Sequence, residues 1–183
     1  SWYNGLLVSG RKRMSHGIGF EGSYTFSKTL DVGEDPVQNE YDRLASRAVA
    51  AIDISHRAAI SFIYELPFGK GRHWGSDAPR AVQWLVGGWQ INGIASIQSG
   101  TPLAISASNT AGIFNPRTSA NNSGQSGKLT GSAQQRLERW FNTGVFSQPE
   151  PFTFGTAGTR IANLRADGIR NFDLSLFKEF RLL

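Results

Sequence analysis

Residues 18–26 read IGFEGSYTF, and this stretch decides the fold. Ile18, Phe20, Tyr24 and Phe26 fall on one parity, while Gly19, Glu21, Ser23 and Thr25 fall on the other. A period of two in side-chain character is the mark of a β-strand with one apolar and one polar face. Just upstream, Ser15-His16-Gly17 separates this run from Tyr3 to Arg13. That spacing predicts a tight hairpin, with Gly17 where unusual backbone angles are needed.

The same alternation returns three more times. In His56 to Leu66, Ala58, Ile60, Phe62, Tyr64 and Leu66 oppose Arg57, Ala59, Ser61 and Glu65, with Ile63 out of pattern. In Trp89 to Gln98, Trp89, Ile91, Ala95 and Ile97 oppose Gln90, Asn92, Ser96 and Gln98, with Ile94 as the exception. From Ile169 to Leu182, Phe172, Leu174, Leu176, Phe180 and Leu182 oppose Asn171, Asp173, Ser175 and Glu179.

The chemistry of the polar parity separates two environments. A soluble sandwich hides its apolar face between sheets and turns Lys- and Glu-rich residues to water. Here the polar parity is mostly Gly, Ser, Thr, Asn and Gln, opposite large apolar or aromatic residues, as in a strand that faces a lumen on one side and lipid on the other. The runs approach the ~10 residues that a tilted strand needs to cross a bilayer. The fold expected is all-β, an antiparallel transmembrane β-barrel segment of about five long strands, with long loops bearing short helices. As an isolated soluble piece, an α+β rearrangement is the alternative, because an open sheet leaves two unpaired edges and a bare apolar face.

The connections differ in length. Residues 14–17 form a short turn, and residues 28–54 a long connection with a helical turn or two between Glu40 and Ala51. Residues 67–88 are intermediate, with a short helix expected from Ala78 to Val86. Residues 99–168 are a long loop insertion. It carries the Ser/Asn/Gly-rich run SNTAGIFNPRTSANNSGQSGK, then a capping-box pattern at Ser132–Gln135 that opens a helix from Ala133 to about Asn142.

Composition narrows the function classes. With 183 residues, 21 glycines and 18% charged residues, the chain is glycine-rich and low in charge. It contains no cysteine, which removes disulfides, thiolate metal sites and cysteine nucleophiles. No apolar run reaches the ~18 residues of a transmembrane helix, and a mean hydropathy of −0.29 is compatible with alternating strands. The formal charge of +5 comes from scattered residues, with Arg11-Lys12-Arg13 the only cluster. No nucleic-acid partner is expected from that distribution.

Catalytic and cofactor motifs are weak. His16, His56 and His73 share no ligand spacing, so neither a metal nor another cofactor is expected. Gly124-Gln-Ser-Gly-Lys128 lacks the first glycine and the following Ser or Thr of a phosphate loop. Ser9-Gly-Arg-Lys12 has Ser-x-x-Lys spacing but falls in a strand rather than at a helix start. The loop carboxylates Glu34, Asp35, Glu40 and Asp42 read as solvated, so no catalytic residue is assigned. Arg117, Arg136, Arg139 and Trp140 are the candidate ligand contacts of the long loop, since Arg forks suit carboxylates and aromatic faces stack on sugars. Trp140, with Phe141 at a helix end, reads first as a packing anchor, and loop arginines are commonly just solvated. Asp173 and Glu179 are candidates on the polar parity of the last strand.

The segments YNGLLVSGRKRMSHGIGFEGSYTFSKTLD, DISHRAAISFIYELPFGKGR, GGWQINGIASIQSGTPL, RWFNTGVFSQP and NLRADGIRNFDLSLFKEF occur in that order. Together they resemble the C-terminal barrel region of TonB-dependent receptors of the Oar-like type abundant in Acidobacteria, which carry an N-terminal carboxypeptidase-regulatory-like domain. The resemblance implies a bacterial outer-membrane location and uptake of a scarce nutrient, with energy relayed by TonB. It also implies that residues 1–183 are a partial barrel domain, truncated at both ends relative to that family. The partners expected are outer-membrane lipid, the rest of the parent receptor with the TonB complex, and a small-molecule or oligosaccharide ligand. Two other readings stand beside it: a soluble β-rich fragment with hydrolase or ligand-binding activity, and a structural module that self-associates through its open strand edges.

Overall fold

The computed structural model describes residues 1–32, 37–109 and 118–180. Its strands in chain order are β1 (Trp2–Ser15), β2 (Ile18–Asp31), β3 (Ala48–Val49), β4 (His56–Glu65), β5 (Trp89–Gln98), β6 (Pro102–Leu103), β7 (Ser106–Ala107), β8 (Thr118–Ser119), β9 (Asn121–Asn122), β10 (Phe146–Ser147), β11 (Ile161–Arg165) and β12 (Ile169–Lys178). The helices are α1 (Arg80–Val86) and α2 (Ala133–Glu138), with 3-10 turns at Arg43–Ser46 and Thr143–Val145.

The four runs of alternation and the Tyr3–Arg13 run that precedes the hairpin turn are the five long strands. They pair in the order β1-β2-β4-β5-β12, with β3 added to β2, and the β2–β4, β4–β5 and β5–β12 ladders are antiparallel. The β1–β2 turn is two residues, His16 and Gly17, both at positive φ (53° and 79°). Positive φ at both central positions is the type I′ signature, whose twist matches that of the flanking strands. Glycine accepts that geometry freely, and histidine is among the few other residues enriched there.

The ladder registers place the apolar parity of β2, β4, β5 and β12 on one face. Ile18, Tyr64, Ile91 and Leu176 form one cross-strand row, Phe20, Phe62, Gly93 and Leu174 the next, and Gly22, Ile60, Ala95 and Phe172 the third. Gly93 is covered by its neighbours, since a Cβ there would meet the Phe62 ring at 2.3 Å and Leu174 at 3.0 Å. The two residues out of pattern, Ile63 and Ile94, lie on the opposite face, as does Phe177.

The described residues fall into two compact units. The sheet unit comprises Leu6–Phe26, His56–Gln98 and the chain from Ile169 onward, and the loop unit comprises Ser1–Gly5, Ser27–Ser55 and Ser99–Gly168. Among the described residues of the sheet unit only Gly69 and Gly93 are buried. Both faces of the sheet are exposed, and Phe172, Leu174 and Leu176 keep more than half of their surface open.

The loop unit has a core of its own. Val37, Val49, Ala50, Ala120, Val145, Ala157 and Leu164 are buried there, together with Ser46, Thr118, Ser119 and Thr159. Residues 99–168, expected as a loop insertion with one helix, also carry β6–β11, paired as β6–β11, β7–β8 and β9–β10. Most of these strands are two residues long, too short for an alternation to register. The side chain of Gln38 ties two segments together: its Nε2 donates to Gly155 O at 2.9 Å, and its Oε1 accepts from the backbone N–H of Ser119 and of Gly155, each at 3.0 Å.

The helix ends are set locally. The capping box at Ser132 forms: Ser132 Oγ accepts from Gln135 N and Gln135 Oε1 accepts from Ser132 N. Helix α2 stops at Glu138 rather than near Asn142, because Asn142 caps the following 3-10 turn by accepting from Gly144 N. Helix α1 starts at Arg80 rather than Ala78, since a residue that precedes proline is pushed out of helical geometry, and Pro79 occupies the N-cap. The helical turn expected between Glu40 and Ala51 is the 3-10 turn Arg43–Ser46, capped by Asp42.

Candidate functional site

The polar face of the sheet is an array of short polar side chains at fixed register. Glu21, Ser61, Ile94 and Asp173 form one cross-strand row, and Ser23, Ala59, Ser96 and Asn171 form the next. Along β12, Asn171 Nδ2 donates to Asp173 Oδ2 at 2.6 Å, and along β5, Gln90 Nε2 donates to Asn92 Oδ1 at 2.6 Å. Arg11 of β1 lies 3.8 Å from Glu21 with both side chains well exposed. Asp173 thus sits where its parity placed it, on the polar face, midway along the edge strand β12. Glu179 lies just past β12, exposed, with its backbone N–H donated to Gly88 O at 2.8 Å. The face offers carboxylates and amides to a polar ligand or to water.

The loop unit is organised around one ion pair that spacing does not reveal. Asp53 has no exposed surface, and its Oδ2 accepts from Arg165 Nη2 at 2.6 Å. Asp53 Oδ1 accepts from Thr29 N at 2.6 Å, and Ser55 Oγ donates to Oδ2 at 3.3 Å. Arg165 uses the rest of its fork on backbone carbonyls: Nη1 donates to Asp53 O and Gly100 O at 3.0 Å each, and Nε to Ala162 O. A guanidinium with this many partners is a fixed structural node, since burying both charges is tolerable only when their hydrogen bonds are satisfied. It ties the end of β2, the stretch that precedes β4, the stretch after β5 and strand β11 within the loop unit.

Three of the candidate loop contacts gather beside that node. Trp140 Nε1 donates to the carbonyl of Arg165 at 2.9 Å, which makes the indole a packing anchor as well as an aromatic surface. Arg136 lies with its guanidinium carbon 6.0 Å from the Trp140 ring centroid, and its Nε is buried without a hydrogen-bond partner. Arg139 Nη2 donates to Asn142 Oδ1 at 2.8 Å and is otherwise exposed. Arg117 lies outside the described residues. Asp53 and Arg165 belong to no catalytic or ligand motif in the sequence, although they sit within DISHRA and NLRADG. A contact across 112 positions leaves no trace in local spacing.

The other motifs find no chemistry here. Ser9 lies within strand β1, and Lys128 lies in an isolated bridge with Phe141 after a turn at Gly124. His16 Nδ1 is 2.8 Å from Ser15 Oγ, His56 Nδ1 is 2.8 Å from Tyr24 Oη, and His73 meets the Trp74 ring edge-on. Among the described residues no group of three or more His, Asp or Glu side chains is placed to hold a metal ion.

Comparison with known proteins adds one match. No similar chain was found among curated proteins or solved structures. A family model described as "Outer membrane beta barrel domain" matches residues 1–183. Its span covers every strand of the two-faced antiparallel sheet, and with it this chain belongs to the outer membrane β-barrel domain family, whose place is the bacterial outer membrane.

Proposed function

We propose that this chain supplies part of the barrel wall and of the ligand-facing loops of a TonB-dependent receptor that takes up a nutrient across the outer membrane. The observation that carries this reading is the ordered set of five segments resembling those receptors, laid out along a sheet whose one face is apolar and whose other is lined by small polar residues. In that role the apolar face meets outer-membrane lipid and the polar face meets the lumen. Asp173 and Glu21 then line the lumen wall, and Glu179 stands at its end. Because about eight strands is the smallest closed transmembrane barrel, the outer edges of β1 and β12 pair with further strands of the wall.

The loop unit is the natural place for substrate selection, because loops held on a rigid scaffold carry recognition. Arg136 and Arg139 then contact an anionic or polyhydroxylated nutrient, with Trp140 as a stacking surface held by Arg165. Arg117 belongs to the same proposal. Energy coupling comes through the TonB complex. The test is uptake by cells that express the outer-membrane protein bearing this chain, with and without TonB. Accumulation of the nutrient that depends on TonB, and that falls at least several-fold in Arg136→Ala with Arg139→Ala, is expected. Accumulation that persists at full rate without TonB overturns the reading.

A further inference from the structure

At the end of the sheet where the His16-Gly17 turn lies, helix α1 and the sheet border a shallow, open apolar groove of about 360 Å³ lined by Leu66, Phe68, Leu85, Val86, Trp89 and Leu176. Leu66, Trp89 and Leu176 lie on the apolar face of the sheet by register, so the groove is continuous with the surface that an outer-membrane barrel turns to lipid. Lys178 stands beside it. Its register partner is Trp89, and its ammonium lies 4.5 Å from the Trp89 ring centroid and 5.3 Å from that of Phe180.

The Lys178 ammonium donates to the carbonyls of Leu85 at 2.7 Å and Gly87 at 3.2 Å at the end of α1, and the Leu85 carbonyl also accepts from Trp89 Nε1 at 3.0 Å. An ammonium has three donors, so one remains, and among the described residues no carboxylate is paired with it. The 67–88 connection adds Lys70 and Arg80 against the single acid Asp77, while its Arg72 is ion-paired with Glu65, and Glu179 follows Lys178 in the chain. Trp84, packed on Phe180 with ring centroids 5.1 Å apart, and Trp74, packed on Phe68, surround this end with aromatic rings, the residues that favour the membrane–water interface.

We propose that this groove is a site for one anionic glycerophospholipid of the bilayer, with an acyl chain in the groove and the phosphate on Lys178. The tight turn at this end of the sheet places it on the periplasmic side, where barrel turns are short. The proposal rests on the outer-membrane placement of the chain and is independent of the transport reading.

Native mass spectrometry of the detergent-purified outer-membrane protein, offered phosphatidylglycerol or phosphatidylcholine, tests it. One retained phosphatidylglycerol is expected, favoured over phosphatidylcholine by roughly five-fold, the scale of one lysine near an anionic headgroup. Lys178→Met keeps the stem on the aromatic rings and is expected to bring the two lipids to parity, while Lys178→Arg restores the preference. Because Lys178 also ties the end of α1, Leu85→Asp is the independent arm. It places a charge in the groove from the helix and leaves the strand ladder untouched, and retention of either lipid should be lost. Equal retention of the two lipids by the unaltered protein, a preference that survives Lys178→Met, or undiminished retention in Leu85→Asp overturns the proposal.

Discussion

Asp53 is a fully buried carboxylate with a hydrogen bond or ion pair from Arg165, Thr29 and Ser55. Its value to the loop unit comes from the cost of breaking the set, because an unpaired buried charge is far less favourable than a paired one. Asp53→Ala leaves the Arg165 guanidinium, 18% exposed, without its carboxylate. It is expected to destabilise the loop unit by about 3 kcal/mol. Asp53→Asn, which can still accept from Thr29, should cost less. Limited proteolysis of the folded protein reads this directly, since cleavage of a locally opened segment follows its open population. Cleavage within residues 37–55 or 118–168 should rise steeply in Asp53→Ala and stay near its original rate in Glu21→Ala, whose ion pair with Arg11 is well exposed and worth little. Equal resistance of Asp53→Ala would count against the node. No spacing rule could have marked this pair, because Asp53 follows a helical turn in one connection and Arg165 closes a short strand in another.

At the scale of the element, alternation locates four of the five long strands and the hairpin spacing the fifth, and the cores of β2, β4, β5 and β12 agree with the ladders. Even the residues out of pattern, Ile63 and Ile94, are accounted for, since each strand keeps its register and carries them onto the polar face. Boundaries were less legible. Strand β1 begins at Trp2 and β2 runs on to Asp31, where pairing with β3 extends it past the alternating core. The faces make a direct prediction. Ile60 and Ser61 are adjacent on β4, at nearly the same depth, on opposite faces. Ile60→Arg should lower folding stability in a bilayer by about 2–4 kcal/mol, the cost of a basic residue on the lipid side near the midplane. Ser61→Arg should cost under about 1 kcal/mol. Urea titration of the protein refolded into vesicles measures both, and similar losses for the two variants would show that the faces are assigned wrongly.

For the whole molecule, the decisive contrast is that the buried side chains belong to the loop unit while the sheet exposes both of its faces. A sheet with Phe172, Leu174 and Leu176 open on one side is stable only against lipid or another apolar surface. The protein that carries this chain should therefore partition into detergent and migrate faster unheated than boiled on a denaturing gel. A monodisperse monomer in buffer without detergent would contradict the membrane placement. The amino-acid sequence by itself determined the strands and the two faces, because a period of two and the residue types on each parity are local properties, and the outer-membrane location followed from the resemblance of its ordered segments. The tertiary structure alone decided that Ser1–Gly5, Ser27–Ser55 and Ser99–Gly168 form a unit with its own core, that Asp53 and Arg165 hold it, and that Lys178 stands beside an apolar groove. Each of those rests on contacts between distant segments, which only the folded chain brings together.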